Sequence, residues 1–144
     1  MSAAANHHAS AVAFGPEGGI LILGRSGAGK SRLALALIDA GAQLVADDQV
    51  LLTAQGDAVY ARAPRSIAGM IEVRGLGLLT MAYRRLARLV LALDLDLPPA
   101  RRLPDPEMRP LAGPLTGLSL PCLPAATDGA FPRAVAHYIR ALKG

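Results

Sequence analysis

A chain of 144 residues is long enough for one domain that buries roughly two-thirds of its unfolded surface, and a 52% apolar composition rich in alanine, with two Phe, three Tyr and no Trp, predicts a core of closely approaching aliphatic layers. The single Cys122 excludes an internal disulfide, no Cys/His spacing suggests zinc, and the most apolar long stretch, Leu86 to Leu97, is interrupted by Arg88, Asp94 and Asp96, which excludes a helical membrane span there. The net charge of +4 suits nucleotide phosphates or an acidic protein partner. It disfavours nucleic acid, because Arg84, Arg85, Arg88, Arg101 and Arg102 have only Tyr83 nearby on which a base could stack.

Met1 to Ser10 is small and polar, without the charged start and apolar run of a signal peptide, so a reducing cytoplasmic location is expected. Ala11 to Phe14 reads as a short strand, Gly15 to Gly19 as a turn, and Ile20 to Leu23 as a strand apolar at every position, which suits the middle of a sheet. A Leu/Ala-rich helix is predicted over Ser31 to Ala40, ended by Gly41 in a left-handed conformation. Gln43 to Ala46 is a further strand that runs into Asp47-Asp48. Val50 to Thr53 and Ala58 to Ala61 flank a hairpin turn at Gln55-Gly56-Asp57. Pro64 to Gly69 is a loop or short helical turn, Met70 to Arg74 alternates as a strand into Gly75-Leu76-Gly77, and Leu86 to Leu95 is a leucine-rich strand. Pro98 to Pro114 reads as an irregular surface segment, followed by a strand around Leu115 to Leu120 and a helix from about Ala130 to Leu142 that exposes His137. There is no internal repeat, and residues 1–144 are expected to form one domain.

Gly24-Arg25-Ser26-Gly27-Ala28-Gly29-Lys30-Ser31 fits the phosphate-loop pattern G-x-x-x-x-G-K-[ST] in the context that gives it meaning, a buried strand before it and a helix after it. The glycines let backbone amides turn toward an anion, and the free N–H groups at the helix start add the positive end of its dipole. Lys30 is suited to the β- and γ-phosphates of a nucleoside triphosphate, and Ser31 supplies a hydroxyl ligand for magnesium. Asp47 and Asp48 end the strand after this helix, at the sheet edge where ligands of such sheets bind. Adjacent strand residues face opposite ways, so the two carboxylates share a site only where the strand ends or bends. One would then hold metal while the other accepts a proton from an attacking hydroxyl.

Three segments together, the phosphate loop, Leu44-Val45-Ala46-Asp47-Asp48 and Ile71-Glu72-Val73-Arg74-Gly75-Leu76-Gly77, resemble the HPr kinase/phosphorylase family, bacterial enzymes that phosphorylate a serine of the phosphocarrier protein HPr. The resemblance implies a three-layer α/β phosphate-loop domain with a mixed sheet of the phosphoenolpyruvate carboxykinase type, which agrees with the antiparallel hairpins read above. It implies ATP and Mg²⁺ as cofactors, an HPr-like partner and a homo-oligomer, hexameric in the family. On this likeness His8 lies near the transferred phosphate. Asp48 is the base that takes the serine proton and returns it in dephosphorylation, Glu72 joins Ser31 at the magnesium, and Arg74 clamps phosphate oxygens. Arg102, in Arg101-Arg102-Leu103-Pro104, is the counterpart of a further catalytic arginine.

The sequence is expected to represent a form without the N-terminal domain of longer family members, and its C-terminal half shows no counterpart of their basic proline-glycine segment, a pattern similar to short alphaproteobacterial forms. Two rival functions fit the loop itself: a kinase of a small molecule, and a nucleotide-dependent sensor that binds a partner without phosphotransfer. The adjacent aspartates and His8 weigh against the sensor, which has no use for a hydroxyl-directed base.

Overall fold

The computed structural model describes residues 5–98, 105–111 and 113–142. Its central sheet contains β1 (Ala5–His7), β2 (Ser10–Ala13), β3 (Gly19–Leu23), β4 (Gln43–Ala46), β5 (Val50–Gln55), β6 (Ala58–Arg62) and β9 (Ala87–Asp94) in the order β1-β5-β6-β9-β3-β2-β4. A separate hairpin is made by β7 (Met70–Val73) and β8 (Gly77–Thr80), while β10 (Glu107–Pro110) pairs with β11 (Ser119–Pro124), which also joins β9. The helices are α1 (Lys30–Asp39) and α2 (Phe131–Leu142). Only β3 with β9 and β9 with β11 run parallel among these pairs, so the sheet is mixed, as expected from the hairpins. No helix among the described residues is long and apolar enough to cross a membrane.

The two faces of the sheet carry different residues for a packing reason. Ile20, Ile22, Val12 and Leu44 lie under α1 and α2 with Leu33, Leu37, Val135 and Ile139, where branched side chains fill the space between sheet and helices. On the opposite, inner face, Ala9, Ala11, Ala13, Ala46, Ala61, Ala87 and Ala92 pack with Leu21, Val50, Leu52 and Leu115. There small side chains let strands approach one another across the curl. The long strand β9 serves both layers because its register with β3 shifts between Gly19 and Ile20, leaving Val90 as an extra residue. That bulge turns Leu91 and Leu93 to the helices after Ala87 and Leu89 have faced the inner layer. Gly19 is required beside it, since a Cβ there would stand 2.6 Å from the Arg88 carbonyl oxygen.

α1 closes as predicted, with Gly41 at φ 114°, its N–H on the Ile38 carbonyl at 3.0 Å and the Ala42 N–H on that of Leu37 at 3.0 Å. This double bond satisfies carbonyls the helix end leaves free. Three expectations need correction. Residues Ala5–His7, read as part of a polar start, form strand β1 because they complete the open edge of β5. The segment taken as irregular contains β10, whose partner is β11. The strand placed at Leu115 to Leu120 begins at Ser119 instead, because Leu115 is buried in a short 3₁₀ turn over Gly113–Leu115.

Candidate active site

Residues 5–13 and 43–52 form one antiparallel ribbon interrupted in its middle. β1 pairs His7 with Val50, and β2 pairs Ala11 with Ala46, on one common register that sets Ser10 opposite Asp47. Between these pairings the ladder breaks at His8 and Ala9 on one side and at Asp47 to Gln49 on the other. The break is a γ-turn: the Gln49 N–H donates to the Asp47 carbonyl at 2.8 Å, and Asp48 at its centre has φ 68°, the only described non-glycine residue with positive φ. The strand therefore bends between the two aspartates, as a shared site requires.

Their environments then diverge. Asp47 is 5% exposed, and its carboxylate accepts the Ser10 hydroxyl at 2.7 Å, the Ser31 hydroxyl at 2.8 Å to each oxygen, and the Glu72 backbone N–H at 3.0 Å. These donors replace the water lost on burial. Asp48 is held only by its backbone, its N–H reaching Ser10 Oγ at 3.4 Å, and its carboxylate is mostly exposed. His8 stands against it, Nδ1 at 3.5 Å from Oδ1, while His8 Nε2 lies 3.4 Å from Lys30 Nζ. An ammonium has no acceptor, so Nε2 must be the accepting nitrogen and Nδ1–H points at Asp48.

The phosphate loop faces these groups. Gly27 and Gly29 adopt φ of 84° and 105°, and Gly29 caps α1 without a side-chain hydrogen bond, leaving the first helical N–H groups to an external anion. The Arg25 N–H is tied to Asp96 Oδ2 at 2.9 Å, which fixes the rim of the loop. Lys30 is buried and folded back, donating to the carbonyls of Gly24 at 2.8 Å and Arg25 at 3.1 Å. A cleft of about 370 Å³ results, lined by His8, Ser10, Ser26 to Arg32, Asp48, Glu72 and Arg74. Of the residues singled out in the sequence, Gly24, Arg25 and Asp47 are outside this lining but hydrogen-bond to Lys30 or Ser31 within it, and Arg102 lies outside the described residues.

The oxygen donors fit magnesium. Ser31 spends its proton on Asp47 and so turns its lone pairs outward, and the exposed Glu72 carboxylate lines the same cleft. Hydroxyl and carboxylate oxygens suit a hard cation that keeps waters and binds phosphates.

Two features were missed in the sequence. Ser10 is fully buried and satisfies both aspartates, and a lone hydroxyl within the run Ala9 to Ala13 was the available signal. At the end of β9, buried Asp94 binds the Arg109 guanidinium and the Asp96 N–H, the latter at 2.8 Å. The hydrogen bond to Asp94 holds the Arg109 pKa above its ordinary value. This places β10 within two residues of the carboxylate that ties down the loop.

The family model for the HPr Serine kinase C-terminal domain matches residues 1–84, which include every one of these groups up to Arg74. The chain belongs to this family. Its relatives include HPr kinase/phosphorylase of Geobacillus sp. (strain WCH70), 37% identical over 74% of this chain and 39% of the relative, and that of Aromatoleum aromaticum, 44% identical over 65% and 32%. The chain thus spans 39% and 32% of the length of these two relatives. Its fold is that of the solved Hpr(Ser) kinase/phosphatase from Coxiella burnetii, with a TM-score of 0.79, 23% identity, and coverage of 97% of this chain and 99% of that one. Residues 85–144, where the family's basic segment was not found, lie beyond the family match.

Proposed function

We propose that this domain transfers the γ-phosphoryl group of ATP to a serine hydroxyl of an HPr-type phosphocarrier protein. The observation that carries the proposal is the separation of the two aspartates: Asp47 is buried and saturated with donors, whereas Asp48 is turned out beside His8 into the phosphate cleft. A phosphate-loop protein that only switches between states needs the first carboxylate and not the second. The family membership and the names of its relatives supply the acceptor.

In this reading Asp48 accepts the serine proton as oxygen attacks phosphorus, and His8 orients the carboxylate through Nδ1–H. Lys30 uses its ammonium on the phosphates, giving up its weakest contact, the one to His8 at 3.4 Å. Arg74 clamps phosphate oxygens with its planar fork. Ser31 and Glu72 would hold magnesium; Asp47, expected from the sequence to be a ligand beside them, would act on it through the Ser31 hydroxyl, because its own oxygens are taken by the Ser10, Ser31 and Glu72 donors. Magnesium, when bound, neutralises charge that develops on the bridging and terminal phosphate oxygens. In the reverse sense, where the phosphoryl group of phosphoserine passes to inorganic phosphate, Asp48 returns the proton to the departing serine oxygen. Arg102 and a hexameric assembly belong to the same proposal.

The test is formation of phosphoserine on purified HPr with ATP and magnesium, detected by mass spectrometry. Asp48→Asn is expected to lower transfer by about a hundredfold or more, within the ~10² to 10⁴ range of general-base catalysis, with nucleotide affinity retained. Transfer within threefold of the wild type would remove Asp48 from the mechanism, and phosphate appearing only on a small molecule would replace the acceptor.

A further inference from the structure

The hairpin that carries Glu72 and Arg74 also carries leucines for which the fold has no use. Leu76 is 75% exposed and Leu78 is 68% exposed. Leu76 sits at the turn between Gly75 and Gly77, whose φ values are 89° and 103°, and its N–H closes the turn on the Val73 carbonyl at 3.0 Å. A polar residue would serve that turn as well. On the opposite face, Ile71 is buried and Val73 is partly buried against the helix layer, so the hairpin is already anchored without Leu76 and Leu78.

The register decides where Leu78 lies. β7 and β8 are antiparallel with Glu72 opposite Leu78, and directly opposed residues share a face. That face looks onto the phosphate cleft, which Glu72 lines together with Arg74 of the turn. Leu78 therefore borders the cleft one strand outward from Glu72, about 5 Å away between Cβ atoms. A small acceptor seated at Asp48 would leave both leucines in water, whereas a polypeptide acceptor carries further side chains to the rim of the cleft.

We infer that Leu78, assisted by Leu76, is a specificity-determining residue that seats an apolar side chain of the protein substrate beside its acceptor serine. The inference rests on the seryl-transfer reading above. Exposed Arg32 and Arg74 flank the same cleft and favour acidic groups on the rest of the partner's face. The contact contributes affinity for the acceptor and takes no part in the chemistry.

The experiment is steady-state kinetics on purified HPr for the wild-type chain, Leu78→Ser, Leu76→Ser and Leu78→Met, with molecular mass followed by light scattering. Leu78→Ser is expected to raise the KM for HPr about tenfold, a difference of about 1.4 kcal/mol, while kcat and the KM for ATP hold. Leu76→Ser should raise it by less, and Leu78→Met should stay within about twofold of the wild type, as a preserved apolar contact predicts. An unchanged KM for HPr in Leu78→Ser overturns the inference alone. So does a fall in molecular mass accompanied by a change in the KM for ATP, which would assign the leucines to a contact between copies. A wild-type chain that forms no phosphoserine on HPr overturns the seryl-transfer reading and this inference with it.

Discussion

Replacing each of the two adjacent aspartates by asparagine should separate a structural carboxylate from a chemical one. Asp47→Asn keeps the size but converts one acceptor oxygen to an NH₂ group. With nitrogen at the Oδ2 position it faces the Glu72 N–H, a backbone donor that cannot rotate away. With nitrogen at Oδ1 it meets the Ser10 hydroxyl, which already accepts from the Asp48 N–H and must find its own proton a new acceptor. Either orientation loses one or two hydrogen bonds to a buried charged group. At roughly 1.5 to 3 kcal/mol each, the expected destabilisation is about 3 kcal/mol. For a domain of this length each kcal/mol moves Tm by roughly 3 °C, so Tm should fall by about 10 °C. Asp48→Asn alters an exposed side chain, retains a residue type that tolerates positive φ, and should change stability by no more than about 0.5 kcal/mol. Thermal unfolding followed by circular dichroism, with urea titrations to check that the m-value is constant, measures both. Equal Tm values for the two variants would refute the assignment of Asp47 as the buried anchor.

Other consequences follow from the same geometry. Asp48→Gly should stabilise the fold by up to about 1 kcal/mol in urea titrations, because glycine adopts the γ-turn φ without a Cβ penalty, while serine phosphorylation is lost. Asp96→Ala should weaken nucleotide binding several-fold by calorimetry, and Asp96→Asn, which keeps an oxygen for the Arg25 N–H, should restore most of it; equal affinities would mean that the loop rim sets itself. Burial pushes the Cys122 thiol up, so the folded chain holds this proton to higher pH than the unfolded chain, whose thiol titrates near ~8.5. Its contribution to stability is full below that value and declines as pH rises above it, and the fall in urea midpoint between pH 7 and pH 10 should be smaller in Cys122→Ala.

Much of the site could be read before any coordinates, for local reasons. The phosphate loop is a contiguous segment whose glycines, lysine and serine each have a role that depends on near neighbours. Gly41 likewise announced the end of α1 because helix capping is local. What escaped was non-local. Strand β1 exists only because β5 offers it an edge 43 to 47 residues away, and its three residues carry no strand pattern of their own. β10 forms against β11, whose own start was misplaced because Leu115 packs into the inner layer from a turn and imitates the apolar opening of a strand. Asp94 and Arg109 stand in a pair that neither neighbourhood suggests, joined by the parallel pairing of β9 with β11 and the antiparallel pairing of β11 with β10.

The position of the site follows from the sheet rather than from the loop. A long antiparallel ribbon, residues 5–13 against 43–52, must serve two parts of a curled sheet: β2 pairs with β3 and carries β4 outside it, while β5 pairs with β6 and carries β1 outside it. A straight ladder cannot make that corner, and the chain turns it by breaking the pairing at His8 and at the Asp48 γ-turn. Breaking the ladder frees two consecutive side chains on one strand and one on the other from strict alternation, which lets Asp47 turn inward and Asp48 meet His8. The corner falls at the carboxyl end of β4, where Ser31 at the start of α1 can reach the Asp47 carboxylate. The strain held at Asp48 thus goes with the turning of the sheet, and the base that the proposed chemistry needs stands where the pairing of the ribbon is broken.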